Sequence, residues 1–215
     1  MAILARVLMV CLALVVSPAV NATAQMSDLL IVEGKKFPLN TNPLETQLEL
    51  KQWKSPEEAR ISTANWRGYI ATWEIKNGKL FLKEVTIRVA DPNDEHGDLA
   101  KPITSEIFPG MTEVFASWYT GALIVPDGKM TRYVHMGYGS SFDHYQVFRV
   151  RAGEVVERLS MTGREFETYK EIKFAAFRKT ENYAKAYADL RKEDFDEARA
   201  VDFIKSYFAE TYLSQ

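Results

Sequence analysis

The feature that most constrains this chain is a break in its composition near residue 162. Before it, β-branched and aromatic runs alternate with Gly, Asn, Asp and Pro. Past Gly163 there is neither Pro nor Gly, and Ala, Glu, Lys and Tyr dominate. The first pattern predicts strands joined by turns, and the second predicts helices. Strands first and helices afterwards point to an α+β fold, with the two kinds of element segregated rather than alternating.

Turn residues place the hairpins. Tyr69–Ile75 and Leu80–Ile87 flank Asn77-Gly78, a pair that accepts the positive backbone angles of a tight type I′ turn. Counting back from that turn sets Ile75 opposite Leu80 and Trp73 opposite Leu82, all on one face, with Thr72, Glu74 and Lys83 on the other. One apolar and one polar face is the pattern of an antiparallel rather than a parallel sheet. Leu29–Val32 and Lys36–Leu39 turn at Glu33-Gly34, and Tyr145–Arg151 and Val155–Ser160 turn at Ala152-Gly153. A further hairpin is expected from Trp118–Val125 to Met130–Met136 through Pro126-Asp127-Gly128. The expectation is a hairpin-rich antiparallel sheet, curled or partly closed, with C-terminal helices covering one face or edge.

Thr162 with Glu165 three residues on has the spacing of a capping box, which satisfies otherwise unpaired backbone donors. Phe166, Tyr169, Ile172 and Lys173 continue a helical period. Tyr183, Ala184, Tyr187 and Leu190 give a second apolar stripe. Asp194 is positioned to cap a last helix carrying Phe195, Ala198, Val201, Ile204 and Phe208.

The N-terminus reads as an address. Arg6 precedes an apolar run from Val7 to Val16, Ser17-Pro18 breaks it, and Ala22-Thr23-Ala24 supplies small residues. This is the order of a secretory signal peptide cleaved between Ala24 and Gln25. Its apolar core is shorter than the roughly 20 residues that span a bilayer. Expected boundaries are therefore 1–24 for the leader, 25–161 for the strand-rich domain and 162–215 for a helical segment packed on it. The single Cys11 lies in the leader, and bulky Val10 before it argues against a lipoprotein acceptor. The mature chain would have no thiol, which excludes disulfides, thiol catalysis and cysteine-ligated zinc. Losing Arg6 takes the formal net charge from -2 to -3, so nothing in it suggests nucleic acid as a partner.

The richest stretch for chemistry is 135–145. His135, Tyr138, Ser140, Asp143 and His144 share it with Gly137 and Gly139, a combination suited to a loop held by a rigid sheet. Trp66 and Arg67 add an aromatic and a guanidinium able to clamp a carboxylate. His135 and His144 lack the i, i+4 spacing of a zinc helix, and a third ligand would have to come from Asp143 or His96. Neither serine sits in a nucleophile elbow, and the Gly137-Tyr138-Gly139 run lacks the third glycine of a dinucleotide loop. In Asp91–Asp98, Gly97 is one place late for an EF-hand and the twelfth-position Glu is missing, so a solvated connection is expected. No cofactor is implied.

Asn42-Pro43-Leu44-Glu45, the run from Trp66 to Ile75, and Val134–Gly139 together resemble a family of uncharacterised bacterial proteins over roughly residues 28 to 150. The resemblance implies a bacterial origin, and in a Gram-negative cell the leader then implies the periplasm. It carries no activity. The reading is an exported, periplasmic or secreted, non-catalytic binding or inhibitory module. It would recognise a protein or envelope glycan through His135, Tyr138, Ser140, Asp143, His144, Arg67 and Trp66. The alternative is a hydrolase with His135 or His144 as general base, with or without a metal. Intact-mass analysis of the exported protein should give a chain beginning at Gln25. A mass that retains Arg6 would refute the cleavage.

Overall fold

The computed structural model describes residues 24–215. The expected leader falls outside the described residues except for Ala24. Eleven strands and six helices follow, among the described residues. The strands are β1 (Asp28–Val32), β2 (Lys35–Leu39), β3 (Ile70–Lys76), β4 (Lys79–Asp91), β5 (Asp94–Pro102), β6 (Val114–Phe115), β7 (Gly121–Pro126), β8 (Met130–Arg132), β9 (Ser141–Phe142), β10 (His144–Arg151) and β11 (Glu154–Thr162). The helices are α1 (Glu45–Leu50), α2 (Thr104–Ile107), α3 (Gly163–Phe177), α4 (Glu181–Lys192), α5 (Glu197–Tyr207) and α6 (Ala209–Tyr212). The fold is α+β, with three substantial helices after the last strand.

Three expected hairpins form where the turn residues put them. Glu33-Gly34, Asn77-Gly78 and Ala152-Gly153 all take positive φ at both positions, as type I′ turns require. Ile75 lies opposite Leu80 and Trp73 opposite Leu82. A bulge between Thr72 and Trp73 then shifts the register, so the buried positions of β4 pass from Leu80 and Leu82 to Val85 and Ile87. Residues 91–98 form the tip of the β4–β5 hairpin, with Asp91 paired to Asp94.

Three expectations are corrected. The sheet, in the order β2-β1-β3-β4-β11-β10-β7 with β5 and β6 on β4, is mixed, because β1 and β3 run parallel. It is neither closed nor curled, and β2 and β7 end it. Each end strand holds a proline, Pro38 or Pro126, which has no N–H to offer a further ladder. Finally, β7 pairs with β10 and not with β8, while β8 pairs with β9 in a separate two-stranded sheet. All six residues of β7 are buried, so its partner must be apolar on both faces. Tyr145, Val147, Phe148 and Val150 meet that demand, whereas Met130–Arg132 is exposed throughout.

Strand alternation divides the interior in two. Leu123, Val125, Phe148 and Val150 face a core built with Leu30, Trp73, Leu82 and Ile87. Ala122, Ile124, Tyr145 and Val147 face the other way, onto Phe166, Phe174, Phe177, Ile204 and Tyr212 of the helices. Thr162 forms the full capping box with Glu165. The helical stripes run differently from expectation at some positions. Ile172 is 63% exposed while Phe174 and Phe177 are buried, and Ala184 and Ala198 also face outward. The cap of α5 is Asp196, whose carboxylate accepts from the Arg199 N–H, and Asp194 instead occupies a left-handed position at φ 62°.

Two turn glycines should separate a conformational cost from a steric one. A Cβ on Gly78 would meet nothing within 4 Å, while one on Gly153 would lie 2.7 Å from the Ala116 carbonyl oxygen and from the Phe115 ring. Gly78→Ala should cost about 1 kcal/mol, the positive-φ cost alone. Gly153→Ala should cost clearly more, measured by urea unfolding. Equal losses would show that the Phe115–Ala116 segment yields freely.

Candidate functional site

The loop singled out in the sequence belongs to an insertion, residues 127–143, between β7 and β10. Its base continues that ladder: Asp127 N–H donates to the His144 carbonyl, Asp143 N–H to the Lys129 carbonyl, and Lys129 N–H to the Asp143 carboxylate at 2.7 Å. Its far end is tied to the N-terminal segment. Gln25 N–H donates to Gly137 O at 3.0 Å, and Met26 N–H to Ala64 O at 2.7 Å. Residues 24–26 thus lie between the insertion and the loop preceding Trp66.

Beneath this face is a buried ion pair. Arg67 Nη1 donates to Asp28 Oδ1 at 2.9 Å, and Nη2 donates to Met26 O at 2.9 Å. Asp28 also accepts from the Ala71 N–H at 3.1 Å and from the Trp73 indole at 3.2 Å. Burial pushes the Asp28 carboxyl up, and Arg67 with these two donors pulls it back. Burial likewise opposes the guanidinium charge, but Asp28 holds Arg67 above its usual range. The guanidinium sits 4.9 Å from the Tyr69 ring centre. Removing one partner of such a pair leaves an uncompensated charge, which costs about 3–5 kcal/mol.

Next to the pair is a corner made by five separate segments. Asn40 N–H bonds Ile124 O, which sets the Thr41–Glu45 turn against β7. Tyr138 of the insertion donates its hydroxyl to Asn42 Oδ1 at 2.8 Å, and Asn42 N–H donates to Glu210 Oε2 at 3.3 Å. Burial raises the Tyr138 phenol above its usual range. Burial also pushes the Glu210 carboxyl up to about 7, against the Asn42 N–H and Tyr119, with Glu45 and Asp28 adding like-charge repulsion. Glu45 is raised by the same desolvation.

The predicted residues therefore divide. Tyr138 comes to the corner beside Arg67, and Arg67 is turned inward onto Asp28. Trp66 is 58% exposed on the outer face, near the junction with the insertion. His135 is exposed and meets the Tyr133 ring edge-on at 4.5 Å. Ser140 closes the loop internally, accepting from the Val134 N–H at 3.1 Å. Asp143 and His144 stand at the opposite end, with Nδ1 3.4 Å from the carboxylate. The Lys129 N–H holds Asp143 below its usual range. A shallow groove runs from there along Thr131, Phe142 and Tyr145 to Arg164 and Glu167 at the start of α3.

Among the described residues, no hydroxyl is hydrogen-bonded to either loop histidine, and no three His, Cys, Asp or Glu side chains converge as metal ligands. No helix among them is long and apolar enough to cross a membrane. Sequence reasoning missed Asp28, Thr41, Tyr69, Tyr119 and Glu210 as members of the polar corner. Besides Arg67 and Tyr138, the run Asn42-Pro43-Leu44-Glu45 is the sequence signal that touches it.

Glu210 makes stability depend on pH. Its folded value of about 7 exceeds the 4.5 of the free carboxyl, so the folded state binds the proton more tightly. That contribution is complete below about 4.5 and is lost as pH rises through about 7. Glu210→Gln should flatten the fall in stability across this window and leave the protein more stable than wild type at alkaline pH. Parallel pH profiles of chemical unfolding for the two proteins would refute the assignment.

Comparison of the chain with known protein families, with curated proteins and with solved structures finds no match.

Proposed function

We propose that this chain is an exported, non-catalytic binding or inhibitory module. It recognises a protein partner through the face shared by the Trp66 loop and the insertion between β7 and β10. The observation that carries this reading is the exposure of Trp66, Tyr133 and Met136, at 58, 50 and 58%, on loops held by backbone bonds. Aromatic side chains on a prepared frame lose little entropy on binding and supply most of the energy at protein interfaces. Met136 adds a side chain that adapts its shape to an apolar partner. Arg67 supports the face from below and does not contact the partner, because its guanidinium is committed to Asp28 and Met26.

A hydrolase using His135 or His144 is less well supported, since a general base needs its nucleophile within hydrogen-bond reach. Ser140 is engaged with Val134, and Thr162 with Glu165.

The test is capture from an envelope extract of the source cell, comparing wild type with Trp66→Ala/Met136→Ser and with Ile172→Ser on α3. Loss of an interface anchor costs about 2 kcal/mol, or roughly thirtyfold in affinity. A specific protein should be held by wild type and Ile172→Ser and lost by the double variant. Equal capture by all three, or retention on purified envelope glycan alone, would overturn the reading.

A further inference from the structure

A groove of about 560 Å³ opens between the end of α1 and the segment that runs from α2 through β6 to Trp118. Small-molecule sites span about 300–1,000 Å³ and combine an apolar lining with a few polar groups. This groove has that make-up. Its floor is Phe108 and Val114, 5% and 4% exposed, with Phe115 and Trp118 half-buried beside them. The Phe108 and Trp118 rings stack 5.7 Å apart and 14° from parallel. The Trp118 indole N–H donates to Pro43 O at 2.9 Å, so the polar edge of that ring is already satisfied and its hydrocarbon is left for the groove. Met111 adds an exposed thioether at the rim.

The charge at the groove is one-sided. Lys51 places Nζ 5.0 Å from the Phe108 ring centre, and among the described residues it forms no ion pair. The neighbouring charges are matched: Lys79, 5.4 Å from the Phe115 ring centre, pairs with Glu154, and Glu113 pairs with Lys76. Gln47, one helical turn before Lys51, lines the same groove and adds an amide.

We propose that this groove binds a carboxylate carried on an apolar chain, the chemistry of a free medium-chain fatty acid. The chain leaves water for the rings of Phe108, Phe115 and Trp118, and Met111 adapts its shape to it. The carboxylate meets the Lys51 ammonium, with the Gln47 amide as a second donor. A neutral sugar would leave Lys51 unanswered, and Gln47 and Ser117 are the other polar side chains lining the groove. A polyanion would need more than one free cation. The groove shares no lining residue with the Trp66 face and is tested on the protein alone, so failure of either proposal is distinguishable from failure of the other.

The experiment is equilibrium dialysis of the protein at neutral pH against sodium octanoate and, separately, octanol. One saturable octanoate site, with octanol bound more weakly, is expected. Across hexanoate, octanoate and decanoate, affinity should rise about two- to fourfold for each added CH2. Lys51 and Met111 are both exposed, so variants at either position keep the fold. Lys51→Gln should weaken octanoate by about threefold or more and leave octanol unchanged. Met111→Asp, which sets a like charge at the rim, should weaken octanoate more than octanol. Absence of saturable octanoate binding would overturn the proposal. So would octanol binding as tightly as octanoate, or octanoate binding undiminished in both variants.

Discussion

The ion pair between Asp28 and Arg67 is the contact on which this corner of the molecule depends. Asp28 opens β1, and its two carboxylate oxygens gather Arg67, the Ala71 N–H and the Trp73 indole. One side chain therefore joins β1 to β3 and to the segment that leads into β3. Parallel pairing of β1 with β3 leaves no hairpin to hold them in register, and a fully buried carboxylate with three donors, two of them in β3, supplies what a turn would otherwise do. Such a pair contributes little net stability against an apolar replacement, because desolvation offsets attraction. Its effect is to penalise every arrangement in which one charge is buried without the other.

A second constraint comes from β7 and β10. Both are buried on two faces, one towards the β1–β5 side and one towards the C-terminal helices. Side chains alternate, so two strands serve two cores without any insertion of apolar layers between them. The insertion of residues 127–143 emerges from the end of this doubly buried pair. That origin explains how a loop rich in glycine and serine is placed firmly enough to reach Asn42 with Tyr138 and the N-terminal segment with Gly137.

Much of the local structure was legible. Glu33-Gly34, Asn77-Gly78 and Ala152-Gly153 specify their hairpins because a type I′ turn depends on the residues within it. Thr162 and Glu165 specify a helix start for the same reason. Pro126-Asp127-Gly128 misleads because it also looks like a turn. What directs the chain elsewhere is the burial of β7 on both faces, which only Tyr145–Val150 can match. Asp194 misleads at a smaller scale, since Asp196 two residues later offers the same carboxylate with the geometry a cap needs. Of the candidate site, Tyr138, Trp66 and Arg67 were visible as residue types, but Arg67 read as an outward clamp is an inward tie.

By itself the sequence determined the α+β class, three of the hairpins and the capped start of the helical segment. Each is set by residues adjacent in the chain, where backbone preference and a side-chain cap act over a turn or less. Tertiary structure alone decided that β1 runs parallel to β3, that β7 pairs with β10, and that Asp28, Thr41, Glu45, Arg67, Tyr119, Tyr138 and Glu210 share one corner. Those outcomes depend on which polar groups lose water together and which strands are covered on both sides. Desolvation of that kind exists only once remote segments have met.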